Sequence, residues 1–333
     1  MLPVYYTTIT DKEGRSRGFS EDELGEFDRE IDLLDFEEAL KASGYMPQYL
    51  GYSESLVRNL LALKHCVLWN LNQGLFGNAR EAQVPALCDL LGIVFTGSGT
   101  WTALVTQDKT LSANLVENNV SGIRVAKSFS IESLKKLEAV SSLPFTGPYF
   151  IKPRFEGSSR GIYEDAKQHT FEKVYKKCVE LLSKWGPVRI EQYINGIDIS
   201  ANLSCKDDGT LVAHEPMAIL TSKTIDTATT KSDYLNLTRN ITSLKEIYPD
   251  KVEFVKSKTL ELSSVFRAKH YFRIDLRLDE SSGEVYFLET NLTPNFALHD
   301  EFVMGAQKIG ISFQELLKNI SSAAYLELSR NVI

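Results

Sequence analysis

The stretch Tyr271–Asn295, YFRIDLRLDESSGEVYFLETNLTPN, decides the reading of this chain. Tyr271–Leu278 and Val285–Leu288 are β-branched and aromatic runs, and Asp279-Glu280-Ser281-Ser282-Gly283 between them is turn-forming, which predicts a β-hairpin with a loop longer than two residues. Asp275 lies inside the first strand and Glu289 and Asn291 close the second, before Pro294 ends regular structure. Carboxylate and amide oxygens at strand ends suit a hard cation such as Mg²⁺, which takes one or two carboxylates plus substrate phosphates. Arg273 is two residues from Asp275, so both side chains point to one face of the strand, where a cation can stabilise a phosphate or an oxyanion. Any one of these residues alone would read as a solvated charge; Arg-x-Asp and Glu-x-Asn across one hairpin do not.

Working outward, Tyr149-Phe150-Ile151-Lys152-Pro153 puts a lysine inside an apolar strand, where an unpaired ammonium is costly and calls for an anionic partner. Arg154-Phe155-Glu156-Gly157-Ser158-Ser159-Arg160-Gly161 follows; glycines flanking two hydroxyls let backbone N–H groups approach phosphate oxygens. No Lys follows Gly161, so this is not a P-loop. Further on, a strand from Val188 runs through Glu191-Gln192-Tyr193-Ile194 to Asn195-Gly196 and Asp198. The same residues also read as a plain hairpin, with Asn195-Gly196 as the turn and Ile199–Ser204 as the return strand.

In this order the motifs resemble the ATP-grasp superfamily, and most closely the D-alanine–D-alanine ligase-like carboxylate–amine ligases. The resemblance covers roughly residues 66–320. It implies an α/β ATP-grasp fold of three lobes: an N-terminal parallel α/β domain (1–95), a small α+β lid (96–188), and a C-terminal α+β domain carrying the metal hairpin (189–333). It implies that Asp275, Glu289 and Asn291 hold two Mg²⁺ ions on ATP, with Mn²⁺ able to stand in, and that Arg273 faces the reacting carboxylate. Lys109, Lys152 and Lys231 would reach the ATP phosphates, under a loop formed by Glu156, Gly157, Ser158, Ser159 and Gly161. Ser158 would also help seat a substrate. Glu191, Gln192, Tyr193 and Ile194 would frame adenine, and Asp198 the ribose. The implied activity joins a small-molecule carboxylate to an amine through an acyl phosphate, with ADP formed.

The resemblance thins toward the substrates. The amino-group anchor falls on Phe27-Asp28-Arg29-Glu30-Ile31, with Asp28 in the first acidic position. Asn72-Gln73-Gly74 stands where a His-Gly pair is usual, and Ser232, with Tyr234 two positions on, where an aromatic residue follows the loop lysine. Pro294-Asn295 and His299-Asp300-Glu301 replace Pro-Gly and a Ser-Leu whose serine meets the second substrate's carboxylate. An anion pair is the wrong charge for that carboxylate, which favours an amino-acid or natural-product ligase over cell-wall D-alanyl-D-alanine synthesis. A non-catalytic ATP-binding protein is the reading from another class; retention of Arg273 with every metal ligand argues against it.

Before the second domain the chain reads as strand Leu2–Thr8, a polar loop Asp11–Glu26, a helix Asp28–Ser43, strand Met46–Leu50, helix Glu54–Lys64 and strand Cys66–Asn70. Alternating strands and helices predict a parallel sheet. After it come a helix Glu81–Leu91, a helix Lys109–Asn118 and a strand Val125–Ser128. At 333 residues and a net charge of −7, without a dense basic run, the chain carries no electrostatic footprint for nucleic acid. Four scattered cysteines argue against a disulfide framework or structural zinc. No secretory leader or membrane span is expected, so the cytoplasm is the expected compartment. Relatives are commonly dimers, so a homodimer is one assembly the resemblance allows.

Overall fold

The computed structural model describes residues 1–63, 65–221 and 239–330. Among the described residues three sheets form. The first is all parallel, in the order Tyr45–Tyr49, Leu2–Thr7, Val67–Asn70, Val94–Phe95. The second, small and antiparallel, runs Ser128–Ile131, Val188–Gln192, Tyr149–Pro153, Lys167–Gln168. The third has Arg239–Ser243, Met217–Thr221, Ile197–Cys205, Tyr271–Leu278, Val285–Asn291 and Ile123–Val125 in order, with Leu211–Ala213 on the side of Ile197–Cys205.

The hairpin is the centre of the third sheet, and its pleat explains why it can serve both a core and a site. Phe272, Ile274, Leu276 and Leu278 point to one face and pack with Val116, Val255, Leu262 and Phe266 from helices beneath. Arg273, Asp275 and Arg277 point to the other. The pairing shifts between Asp275 and Leu276: Asp275 stands opposite Glu289, but Leu276 opposite Phe287. One extra residue, Leu288, is a β-bulge, and it reverses the in–out alternation of its strand. Phe287 therefore stays in the core, 3% exposed, while Glu289, two residues on, joins Asp275 on the polar face.

The N-terminal sheet is tied to the third by a shared core in which Phe36, Trp69, Phe296, Phe302 and Leu317 meet. The Trp69 indole N–H donates to Ser321 Oγ of the last helix, Phe313–Arg330, at 3.0 Å. The small sheet has its own core against helix Phe171–Trp185, through Val174, Cys178 and Leu181.

Several expected elements differ. Asp11–Glu26 is not a loop: it holds two short helices, Asp11–Ser16 and Glu21–Leu24, each opened by a capping box, Thr10 with Glu13 and Ser20 with Glu23. Helix Thr100–Gln107 was not expected. The strand expected over Val125–Ser128 is two strands in different sheets, Ile123–Val125 and Ser128–Ile131. The plain hairpin over 188–204 does not form either, because Val188–Gln192 belongs to the small sheet and Ile197–Cys205 to the large one. All four cysteines are free and buried.

Candidate functional site

On the polar face of the hairpin, Arg273 grips Asp275 with two parallel bonds, Nε to Oδ1 at 2.9 Å and Nη2 to Oδ2 at 3.2 Å. Its Nη1 lies 3.7 Å from Glu301 Oε1. Burial alone would pull the guanidinium pKa down; Asp275, Glu301 and Asp300 outweigh that and hold it above the ordinary arginine value. Asn291 faces Arg273 across the strands and accepts from the Thr293 N–H at 3.1 Å. Glu289 meets Lys109 Nζ at 3.2 Å.

Lys109 is brought there by a local device. Asp108 caps helix Lys109–Asn119, accepting from the Thr110 and Leu111 N–H groups. Arg154, at the start of the glycine–serine loop, clasps the same carboxylate through Nε at 2.7 Å and Nη2 at 2.6 Å. Lys109 Nζ also donates to the Glu156 carbonyl. Loop and lysine are thus positioned together. Ser158 and Ser159 both have positive φ, 47° and 60°, a conformation that costs a non-glycine residue about 1–2 kcal/mol. Such strain persists where surrounding bonds fix the backbone. Gly161, at φ 72°, has no room for a side chain, since a Cβ would lie 2.4 Å from Pro153 Cγ.

Between the small and the large sheet lies an open cleft, about 950 Å³ with the solvent at its mouth included. Phe150, Ile194, Leu288 and Ile199 form its apolar wall, and Lys152, Ser159, Glu191, Gln192, Tyr193, Asp198, Asp275 and Glu289 also line it. Lys152 Nζ sits 3.0 Å from Glu191 Oε2, and Arg189 Nε 2.5 Å from Glu191 Oε1. Burial would raise the Glu191 pKa, but the two cations outweigh it and keep the carboxylate ionised. The chain crosses between the sheets at 193–196, where a Cβ on Gly196 would stand 1.9 Å from the Leu278 carbonyl oxygen. Asp198 pairs with Arg277 Nε at 2.9 Å. Arg277 and Lys167 lie 5.5 and 3.9 Å from the Tyr193 ring centroid.

A second open cavity, about 1180 Å³ with solvent at its mouth included, is lined by Arg273 and by Asp28, Ser158, Asn291, Thr293, His299, Asp300 and Glu301. Burial pushes the Asp28 carboxyl up to about 7; the Thr8 hydroxyl that it accepts from offsets part of this, and Asp32 adds to it. Arg29 is committed to Asp32 through Nε and Nη2, both at 2.7 Å, and its Nη2 lies 3.3 Å from His299 Nε2. Asp300 caps helix Glu301–Lys308, accepting from the Phe302 N–H at 3.0 Å.

A small cavity lined by Lys109, Glu156, Gly157, Ser158, Glu289 and Asn291 lies at the same hairpin end. Glu156 turns its carboxylate to Arg80 and Arg160, at 3.3 and 3.1 Å. Lys231, with Ser232 and Tyr234, lies outside the described residues. Sequence reasoning missed Arg189, Arg277 and Thr293. The first two sit at i+2 spacing from anticipated residues, Glu191 and Asp275, and that spacing was the available signal.

Asp275, Glu289 and Asn291 offer two carboxylates and an amide oxygen on one face, a hard-oxygen set that fits Mg²⁺ when phosphates supply further ligands. Among the described residues no three His, Cys, Asp or Glu side chains cluster at metal-binding separation.

The family model described as D-ala D-ala ligase C-terminus matches residues 115–322, well over half of the chain. The D-alanine–D-alanine ligase of Thermotoga maritima is 26% identical over 308 residues, covering 90% of this chain and 94% of that one. Among solved structures, the VanG D-Ala:D-Ser ligase of Enterococcus faecalis superposes with a TM-score of 0.72 at 17% identity, covering 97% of this chain and 99% of that one. The D-alanine–D-alanine ligase of Bacillus anthracis complexed with ATP does so with 0.71 at 15%, covering 99% of each. At these identities the structural likeness establishes the fold alone. Fold, motif order and family match agree: this chain belongs to the D-alanine–D-alanine ligase family, ATP-dependent carboxylate–amine ligases of ATP-grasp fold.

Proposed function

We propose that this chain joins an amino acid or natural-product acid to an amine other than D-alanine. A donor carboxylate oxygen attacks the γ-phosphorus of ATP and ADP leaves. The amine nitrogen then attacks the acyl phosphate carbon, phosphate is expelled and the nitrogen loses its proton. Asp275, Glu289 and Asn291 would hold two Mg²⁺ ions, which when bound neutralise phosphate oxygens. Lys109, Lys152 and Lys231 take up phosphate charge, beneath the loop of Glu156, Gly157, Ser158, Ser159 and Gly161. Glu191, Gln192, Tyr193 and Ile194 frame the adenine, and Asp198 meets the ribose. Arg273 stabilises the tetrahedral oxyanion, Asp28 accepts from the donor's ammonium and Ser158 helps to seat it. Preorganised charge and positioning carry the rate, since the protein forms no covalent bond to substrate.

The observation that carries the acceptor assignment is Asp300. Its carboxylate already takes the Phe302 amide of helix Glu301–Lys308, and Glu301 stands beside it in the same cavity. A substrate carboxylate docking there would meet the Asp300 and Glu301 carboxylates; of the cations nearby, Arg273 is held by Asp275 and Glu301 and Arg29 by Asp32. Family relatives that are D-alanine–D-alanine ligases favour the second reading, D-alanine as acceptor. ATP-stimulated phosphate release across a panel of amino acids and amines, with mass spectrometry of products, separates the two. If ATP binds and no acid–amine pair stimulates release, a non-catalytic ATP-binding role replaces both.

We propose a cytoplasmic protein, with a homodimer as one assembly open to it, to be checked by fractionation and light scattering. Among the described residues no helix is long and apolar enough to cross a membrane.

A further inference from the structure

Glu26 plays no part in the chemistry above, yet its side chain is fully buried. It follows the short helix Glu21–Leu24 of the N-terminal lobe and reaches three partners far along the chain. Oε1 lies 2.9 Å from Arg80 Nη2 and accepts from the Gly157 N–H at 3.1 Å. Oε2 accepts from Arg160 Nη1 at 2.8 Å. Glu156 reaches the same two arginines and Glu81 lies 3.8 Å from Arg80 Nη1, so three acids surround two largely buried bases. Gly157 and Arg160 bracket Ser158 and Ser159, the two residues held at positive φ. A carboxylate from another lobe therefore pins the strained turn from both sides. Two residues on from Glu26, Asp28, proposed to hold the acid substrate's ammonium, lines the same cavity as Ser158.

We propose that Glu26 is a positioning residue that latches the phosphate-covering loop 154–161 onto the N-terminal lobe, coupling loop closure over the γ-phosphate to binding of the acid substrate by way of Asp28. The latch rests on the reading of 154–161 as the loop over the ATP phosphates. Because Glu26 touches the loop and no part of the adenine cleft, its removal acts on the nucleotide's last phosphate far more than on the rest.

The test is calorimetric titration of the full chain, with Mg²⁺, by ADP and by a non-hydrolysable ATP analogue. Glu26→Gln keeps the shape and an acceptor for the Gly157 amide but removes the charge that balances Arg80 and Arg160. It is expected to weaken the ATP analogue by about tenfold or more, the loss of a charge-assisted bond, and ADP by less than about threefold. Hydrogen exchange at the Gly157 amide should quicken in the same variant. Gly157→Ala tests the contact without altering any buried charge, because its Cβ would lie 2.9 Å from Glu26 Oε1; the same split is expected. Equal weakening of both nucleotides, or none, in a folded variant overturns the latch while leaving the ligase reading standing. A wild-type chain that binds neither nucleotide overturns the reading of the loop, and the latch with it.

Discussion

The buried trio Lys152, Arg189 and Glu191 makes an asymmetric prediction. Lys152 and Arg189 are 4% and 2% exposed and share one carboxylate, that of Glu191, so the cluster carries a surplus positive charge beside the cleft between the two sheets, which Lys152 lines. Lys152→Met removes the surplus and leaves a neutral Arg189–Glu191 pair. Folding stability should change by no more than about 1–2 kcal/mol, the scale of one hydrogen bond to a charged group. Two unit charges 4 Å apart at an effective dielectric of 20 interact by about 4 kcal/mol, so a phosphate that loses this partner should bind about a hundredfold or more weakly. Glu191→Gln does the reverse to stability. It leaves two buried cations without a counter-charge, and breaking a buried pair in this way costs about 3–5 kcal/mol. Urea denaturation gives the stabilities, and calorimetry with Mg²⁺ and an ATP analogue the affinities. The reasoning is refuted if Lys152→Met destabilises as much as Glu191→Gln does, or binds the nucleotide as the wild type does.

Three further outcomes follow from the substrate side. Replacing Asp300 and Glu301 by Ser and Leu should raise phosphate release with D-alanine as acceptor; no rise contradicts the charge argument for that cavity. Arg273→Lys keeps the charge but loses the two-pronged grip, and should lower kcat by about 10²–10³-fold with little change in nucleotide KM; a loss confined to KM would remove Arg273 from the reaction step. Asp28 binds its proton more tightly folded, up to about 7, than at its ordinary value of 3.8. Its favourable contribution is therefore present below about pH 4 and is lost as pH rises through 7. Asp28→Asn should gain stability over the wild type across that window, most fully above pH 7, while weakening donor binding. A gain confined to acid pH would reverse the sign and contradict the burial argument.

How much the sequence disclosed depends on the range of each interaction. The hairpin was legible because its strands are neighbours in the chain and its apolar residues alternate. The bulge at Leu288 was not, since a strand with an extra residue has no local mark, although it alone sets Glu289 and Phe287 on opposite faces. Asn195-Gly196 gave a strong local turn signal that the fold overrode: Val188–Gln192 pairs with Tyr149–Pro153 and Ser128–Ile131 instead. Glu26 meets Arg80, Gly157 and Arg160 at separations of 54, 131 and 134 residues, beyond any pattern in a window. The two capping boxes before it were readable, as Thr-x-x-Glu and Ser-x-x-Glu, and were hidden by the polar composition around them.

The most direct test of the account is a crystal structure with Mg²⁺ and a non-hydrolysable ATP analogue. Oxygens of Asp275, Glu289 and Asn291 should lie about 2.0–2.1 Å from metal ions that bridge the phosphates, with Lys109 drawn from Glu289 to a phosphate oxygen. Nucleotide bound with Glu289 still on Lys109, Asp275 still on Arg273 and no metal against any of the three would contradict it.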